Sequence, residues 1–386
     1  MKKIVSCDIF CKVIDNYGDI GVSWRLARQM ANEFGLGVRL WVDDLASFVK
    51  LYPEADAAQE TQRCCGLEVR RWREKFADIE PADLVIEAFG CKLPEVYLAA
   101  MAAAAEQSSV WINLEYLSAE NWVEGCHKLP SPHPPLTRYF FFPGFTKKTG
   151  GLLLERDLLE RRDAFLHDPL QQLAFWQSLG MAIPAADTLK ISLFAYENPA
   201  LAGLFDAWAK GAENVLCLVP EGRIVPQVEG YFCGEAGGRR VRGNLEVRVL
   251  PFVEQERYDE LLWACDVNFV RGEDSCVRAQ WAGKPFVWQI YPQHDAAHWP
   301  KLQAFLDLYA APLSLKTTQA TQGLWRAWNG EGSAREGWRA FIAARGELDA
   351  RAQAWARELS ENNLTLNLLA FCQEISTMRA FKIEGQ

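Results

Sequence analysis

The chain has no run of about 18 or more apolar residues, the length a membrane-crossing helix needs. Its start, Met1-Lys2-Lys3-Ile4, enters a strand pattern without the long apolar stretch and small-residue cleavage site of a signal peptide. A cytoplasmic protein with no membrane partner is therefore expected. Positive charge is not in excess: 41 Lys and Arg face 50 Asp and Glu, a formal net of -9. That removes the electrostatic case for nucleic acid and suits a basic partner instead. Cysteine is odd in number, at 11, and no two are spaced CxxC, which excludes a zinc ribbon or thioredoxin-like motif. Several cysteines sit in apolar runs, as Cys217 does between Asn214 and Val219, and are expected reduced and buried. The five histidines form no HExxH pattern, and His294 and His298 share a helical spacing without a zinc-protease acid between them. No metal site is expected. GxGxxG, GxxxxGK[ST] and GxSxG are all missing, so the dinucleotide, P-loop and hydrolase-elbow fingerprints are absent.

What is present is a globular chain of 386 residues, 49% hydrophobic and 24% charged, long enough for two domains. Fifteen Trp and 21 Phe can fill large cores or line a cleft. Strand patterns at 3–10, 38–43, 67–72, 83–88 and 110–115 alternate with helical patterns near 20–34 and 94–107. Such alternation predicts a parallel sheet covered by helices. The segment from Leu129 through Pro135 to Gly144 is too proline-rich for helix and predicts a long loop leading to a short buried strand. A second cycle follows residue 184: strands at 188–195, 214–219, 245–250, 266–270 and 285–290, helices near 199–210, 255–264, 275–283 and 297–308. From about 335 to 380 the pattern is helical throughout, and a terminal helix from about 361 is expected to return to the first domain. The reading is α/β: two Rossmann-like domains facing across a cleft, 1–184 with 361–386, and 185–360.

Two runs at expected strand ends carry chemistry. The first is Asp15-Asn16-Tyr17-Gly18-Asp19, between the first strand and first helix. Ligands of open α/β sheets gather at such carboxyl ends. Two acids there repel phosphate and suit a cationic group or a proton to be removed. The second is Arg271-Gly272-Glu273-Asp274-Ser275, where Asp274 or Ser275 can cap the following helix. Its N–H groups and Arg271 then suit a diphosphate, and Glu273 can accept bonds from sugar or ribose hydroxyls; the other reading is an ordinary strand–turn–helix cap with solvated charges. Phe194, Tyr196 and Phe252 end neighbouring strands and either pack in the core or stack on a base. Gln255 can read base edges, and Tyr291 can complete the pocket wall.

The stretch from Asp8 to Arg28, which contains the first run, resembles the opening of the bacterial elongation factor P arginine rhamnosyltransferases. Arg271 to Ser275 is similar to that family's donor-site motif, and the layout matches along essentially the whole chain. The resemblance implies a GT-B glycosyltransferase fold and transfer of L-rhamnose from dTDP-β-L-rhamnose to an arginine of elongation factor P. It also implies inversion at the anomeric carbon and no metal or other cofactor. The acceptor would lie on the first domain and the donor on the second. A guanidinium stays protonated, with a pKa above about 12. One aspartate must therefore take a proton as the N–C bond forms. Asp19, at the head of the helix, is the candidate base and Asp15 the orienting acid, although the two roles can exchange. Asn16, Tyr17 and Gly18 would support the loop. Two other readings keep the architecture: transfer to a small-molecule or lipid acceptor, and a non-catalytic nucleotide-sugar-binding protein.

Overall fold

Short apolar runs form the centre of the first sheet. The strands with residues 7–11, 84–88 and 110–114 are buried at every one of these positions, as parallel strands covered on both faces are. A computed structural model of the chain describes residues 3–14, 17–73, 76, 79–104, 109–233, 238–292 and 296–384. Contacts divide it into a first unit, 1–156 with 359–386, and a second unit, 157–358. The sequence reading sets the divide at 184/185 instead. The helices between 157 and 184 belong with the second unit because Phe165 packs on Trp263 at 5.7 Å and Arg162 Nη1 donates to the Trp281 carbonyl at 2.8 Å.

The first unit runs β1 (Ser6–Cys11), α1 (Gly18–Phe34), β2 (Gly37–Val42), α2 (Leu45–Leu51), β3 (Thr61–Cys64), β4 (Leu67–Arg71), β5 (Leu84–Ala88), α3 (Glu95–Ala103), β6 (Val110–Leu114), α4 (Trp122–Cys126), β7 (Pro130–His133) and β8 (Leu136–Phe141). The second runs α5 (Leu158–His167), α6 (Pro169–Ser178), β9 (Leu189–Leu193), α7 (Leu201–Ala209), β10 (Val215–Pro220), α8 (Val225–Tyr231), β11 (Arg239–Arg242), β12 (Leu245–Leu250), α9 (Gln255–Ala264), β13 (Val267–Arg271), α10 (Asp274–Ala282), β14 (Phe286–Gln289), α11 (His298–Ala310), α12 (Leu315–Trp328), α13 (Ala334–Ala343) and α14 (Arg345–Ser360). α15 (Leu364–Glu384) returns to the first unit. The tail is thus three helices rather than one continuous stretch.

Sheet order in the first unit is β3-β4-β2-β1-β5-β6-β8-β7, parallel except for the antiparallel edges β3 and β7. In the second it is β11-β12-β10-β9-β13-β14, with only β11 antiparallel. The proline segment at 130–133 is therefore a strand of a hairpin with β8, not a loop, and its prolines suit an edge. β8 itself is half-buried, with only Phe141 fully covered.

Packing in the first unit rests on a polar hub inside an aromatic core. Asp8 is fully buried. It accepts from Arg39 Nε at 2.6 Å and Arg39 Nη2 at 2.5 Å, from Trp41 Nε1 at 3.1 Å and from Tyr97 Oη. Phe10 stacks on Trp41 at 5.6 Å and meets Tyr97 edge-on at 4.8 Å. Each such aromatic contributes roughly 1.5–3 kcal/mol by burial. α15 joins this unit through Thr365, whose hydroxyl donates to Gln29 Oε1 at 2.5 Å, and through Phe371 against Tyr139 at 5.7 Å.

Gly151 is the tightest joint of that return. Its φ is +82°, and an added Cβ would lie 2.0 Å from the Asn362 carbonyl oxygen. Gly35 ends α1 with φ +68° and open space around it. Gly151→Ala is expected to cost about 3 kcal/mol or more, from backbone strain plus overlap. Gly35→Ala should cost only about 1 kcal/mol, from strain alone. Thermal melts of the two variants compare them, and equal shifts would contradict the close approach at Gly151.

Candidate functional site

In each unit the strand order reverses beside the first strand. β1 lies between β2 and β5, and β9 lies between β10 and β13. Crossovers on the two sides of such a point leave the carboxyl ends uncovered, and ligands bind there. Each unit has its own chemistry at that end. A hollow of about 610 Å³ lined by Ser6, Arg39, Glu68 and Ser109 opens at the opposite, amino ends of the first sheet and holds none of the candidate residues.

In the first unit, Gly18 and Asp19 open α1. Asp15 and Asn16 lie outside the described residues, so the structure places only part of the acidic run. Asp19 is buried, at 3% exposure, and its Oδ2 accepts from the Ile14 N–H at 2.8 Å. That bond fixes the carboxylate. Lys50 Nζ lies 5.9 Å from the Tyr17 ring centre. Neighbouring strand ends add acids. Asp43, after β2, accepts from Val13 N–H at 2.9 Å. Glu87, in β5, accepts from Lys92 N–H at 2.9 Å and from Arg138 Nη1 at 3.1 Å. Glu115, after β6, accepts from Asn113 Nδ2 at 2.6 Å. Burial pushes the Glu115 carboxyl up, and Arg138 and Asn113 oppose the shift. Burial also pushes the Cys11 thiol up, helped by Asp19 and Asp43. Asp19, Asp43, Glu87 and Glu115 together make a carboxylate-rich rim at this end of the sheet. Such a rim attracts a cation and can take a proton from it.

Phe89, Gly90 and Lys92 all have positive φ, at +57°, +65° and +56°. This strained turn follows β5, and Phe89 stacks on Tyr116 at 4.7 Å. Strain of this kind costs about 1–3 kcal/mol at each of Phe89 and Lys92, not at Gly90, and persists where surrounding bonds hold it. Here Glu87 and Asn113 hold it, accepting from Lys92 and Gly90.

In the second unit, Arg271 ends β13 and is 3% exposed. Its guanidinium carbon lies 4.5 Å from the ring centres of both Phe194 and Tyr196. Tyr291 meets Tyr196 edge-on at 5.5 Å, and Tyr258 meets Phe194 at 5.6 Å. Phe252 is half-buried on the segment leading to α9. Gln255, the first residue of α9, donates to Asp274 Oδ2 at 3.4 Å. The expected cap is different in form. Glu273 occupies the position before α10 without a side-chain cap bond, and Asp274 is the first helical residue. Ser275 instead turns back: its hydroxyl accepts from Arg271 N–H at 3.0 Å and donates to the Arg271 carbonyl. Gly272, at φ +58°, bends the chain between them, and Trp288 Nε1 donates to its carbonyl at 2.7 Å. The head of α10 thus lies directly after the Arg271–Gly272 bend, and a helix N-terminus favours an anion.

The structure thus gathers Phe194, Tyr196, Arg271, Ser275 and Tyr291 in one cluster and brings Gln255 to Asp274. Residues not singled out in the sequence are Asp43, Glu87, Glu115, Tyr258 and Trp288. An acid inside the apolar strand Leu84–Ala88 was a usable signal for Glu87. Asp43 obeys the same strand-end rule as Asp19. Glu115, directly after β6, obeys it too, and Tyr258 and Trp288 come from packing alone. Among the described residues no three His, Cys, Asp or Glu side chains lie close enough to hold a metal ion, and no helix is long and apolar enough to cross a membrane.

A family model for the Elongation-Factor P (EF-P) rhamnosyltransferase EarP matches residues 7–373. A protein-arginine rhamnosyltransferase of Pseudomonas putida is 52% identical over 371 residues, 94% of this chain and 97% of that protein. One of Pseudomonas aeruginosa is 48% identical, over 92% of this chain and 95% of its own length. A solved structure concerning EarP-mediated arginine glycosylation of translation elongation factor EF-P is 39% identical, with TM-score 0.67, covering 96% of this chain and 99% of the other. A glycosyltransferase of Rickettsia africae, at 9% identity and TM-score 0.51, shares the fold. The fold is GT-B, a Rossmann-like layer in each unit.

Ser275 supports Arg271 through two bonds. Ser275→Ala is expected to destabilise the second unit by about 1–2 kcal/mol, read as a lower urea midpoint of its unfolding transition. An unchanged midpoint would show that the hydroxyl does not hold the turn.

Proposed function

The chain belongs to the EarP family of elongation factor P rhamnosyltransferases, and from that membership we propose that it moves L-rhamnose from dTDP-β-L-rhamnose to an arginine of elongation factor P in the cytoplasm. It is a glycosyltransferase acting on protein arginine, so the non-catalytic reading is set aside. The donor sits on the second unit and the acceptor guanidinium on the first. The observation that carries the donor half is Arg271, a buried cation between two aromatic rings at the strand-order reversal. It is pre-positioned for a diphosphate and loses little side-chain freedom on binding. Phe194, Phe252 and Tyr291 form the walls for the base and sugar, Gln255 supports the base edge, and Glu273 accepts from sugar hydroxyls. Ser275 holds Arg271 in place, and Asp274 joins Gln255 to the head of α10.

On the first unit, carboxylates suit the planar fork of a guanidinium. Asp19 is the proposed base, and Asp15 orients the acceptor or exchanges roles with it. Asn16, Tyr17 and Gly18 shape the loop that presents them. A guanidinium has no useful lone pair while fully protonated, and a carboxylate is too weak a base to strip it in advance. The N–C bond therefore forms on an anomeric carbon already losing its diphosphate. The C–O bond to phosphate breaks, the guanidinium nitrogen attacks from the opposite face, and Asp19 takes the nitrogen's proton. The configuration inverts. Arg271 and the α10 terminus take up the charge leaving with the diphosphate, so the proposed reaction calls for no metal and no further cofactor.

Two substitutions separate the halves. Arg271→Ala is expected to weaken dTDP binding in calorimetry by about 10–100-fold, the loss of charge-assisted bonds. Unchanged affinity would remove the donor assignment. Asp19→Asn keeps an acceptor oxygen for the Ile14 N–H and should bind dTDP normally while transfer falls about 100-fold or more. Near-normal turnover would remove the base assignment. The overall reading is tested by the intact mass of elongation factor P after incubation with the enzyme and dTDP-rhamnose. A single deoxyhexose on arginine is expected. An unmodified factor alongside a labelled lipid or small molecule would favour the other acceptor class.

A further inference from the structure

A diphosphate pocket that carries two consecutive acids, Glu273 and Asp274, needs something to offset them. Lys301 supplies it. It lies on α11, 28 residues further along the chain, and its Nζ is 3.2 Å from Glu273 Oε1. The pair is largely enclosed, with the Lys301 and Glu273 side chains 15% and 17% exposed. Enclosure limits solvent screening, so each charge is felt nearby. The buried Cys276 thiol registers both: after burial itself, Glu273 raises its pKa and Lys301 lowers it.

We propose that Lys301 is a positioning residue of the donor site. It neutralises Glu273 and holds that carboxylate toward α11, so that the head of α10 and Arg271 present net positive potential to the diphosphate of a nucleoside-diphosphate sugar. The charges make the case. Arg271 and Lys301 carry +2, Glu273 and Asp274 carry -2, and the sum is zero before the helix terminus adds its partial positive charge. Without Lys301 the same four positions sum to -1. The inference rests on the donor reading given above and extends it to a residue outside the strand-end motif.

Calorimetry with dTDP, which lacks the transferred rhamnose, tests it. Lys301→Met is expected to weaken dTDP binding roughly tenfold, the scale of one partly screened unit charge. Lys301→Arg should stay close to wild type. Lys301→Met combined with Glu273→Gln should regain most of the loss, since the double variant removes the repulsion along with its counter-charge. A merely structural lysine would give no such recovery. The single-variant deficit should also shrink as salt rises. Normal dTDP binding by Lys301→Met, or a double variant no better than the single one, would overturn the inference and leave the donor reading standing. A wild-type protein that binds no dTDP would overturn both.

Discussion

Parallel strands joined by right-handed crossovers allow few ways to reverse strand order, and each reversal sends the next helices to opposite faces. Both sheets of this protein reverse beside their first strand, β1 and β9. Crossovers that part at that point leave the flanking carboxyl ends uncovered. Asp19 and the strained turn at Phe89 stand at one reversal, Arg271 and Phe194 at the other. The same geometry is filled with acids in one unit and with a buried cation in the other. Chain topology therefore sets where chemistry occurs, and side-chain charge sets which reactant each place accepts.

Buried charge is managed differently in the two units. In the first, Asp8 receives bonds from three side chains and lies at the amino half of β1, away from the acidic rim. In the second, Arg278 grips Asp259 with two bonds of 2.7 Å, both side chains almost fully buried, and so ties α10 to α9 beneath the donor motif. Removing one member of such a pair leaves an uncompensated charge and costs about 3–5 kcal/mol. Frames fixed this firmly let Arg271 and the Phe89 turn remain in postures that would not persist alone.

Much of this was legible in the chain. The alternation of apolar strand runs with helical patterns gave both parallel sheets, because period-two and period-3.6 patterns are distinct over 5–17 residues. The site motif Arg271–Ser275 stood out because a charged run followed a largely apolar strand. The short polar edges, β3, β7 and β11, did not stand out. They are four residues each, largely exposed, and owe their shape to the hairpin partner. The place of α5 and α6 depended on tertiary contacts with α9 and α10, which local pattern does not encode. Lys301 was invisible for the same reason: a lysine near the start of an amphipathic helix is ordinary until Glu273 is seen beside it. The cap at α10 was misjudged because Ser275 found a better partner in the preceding strand's backbone than in its own helix.

The return of α15 to the first unit has a consequence for synthesis. Residues 157–358 form a complete body inserted between two pieces of another. Thr365, Phe371 and Asn363, whose side chain donates to the Leu154 carbonyl at 2.6 Å, emerge from the ribosome last. The leading lobe must wait with its hydrophobic flank open while the inserted lobe is made and folds. Apolar surface left open over that interval is prone to aggregate, which is where chaperones act.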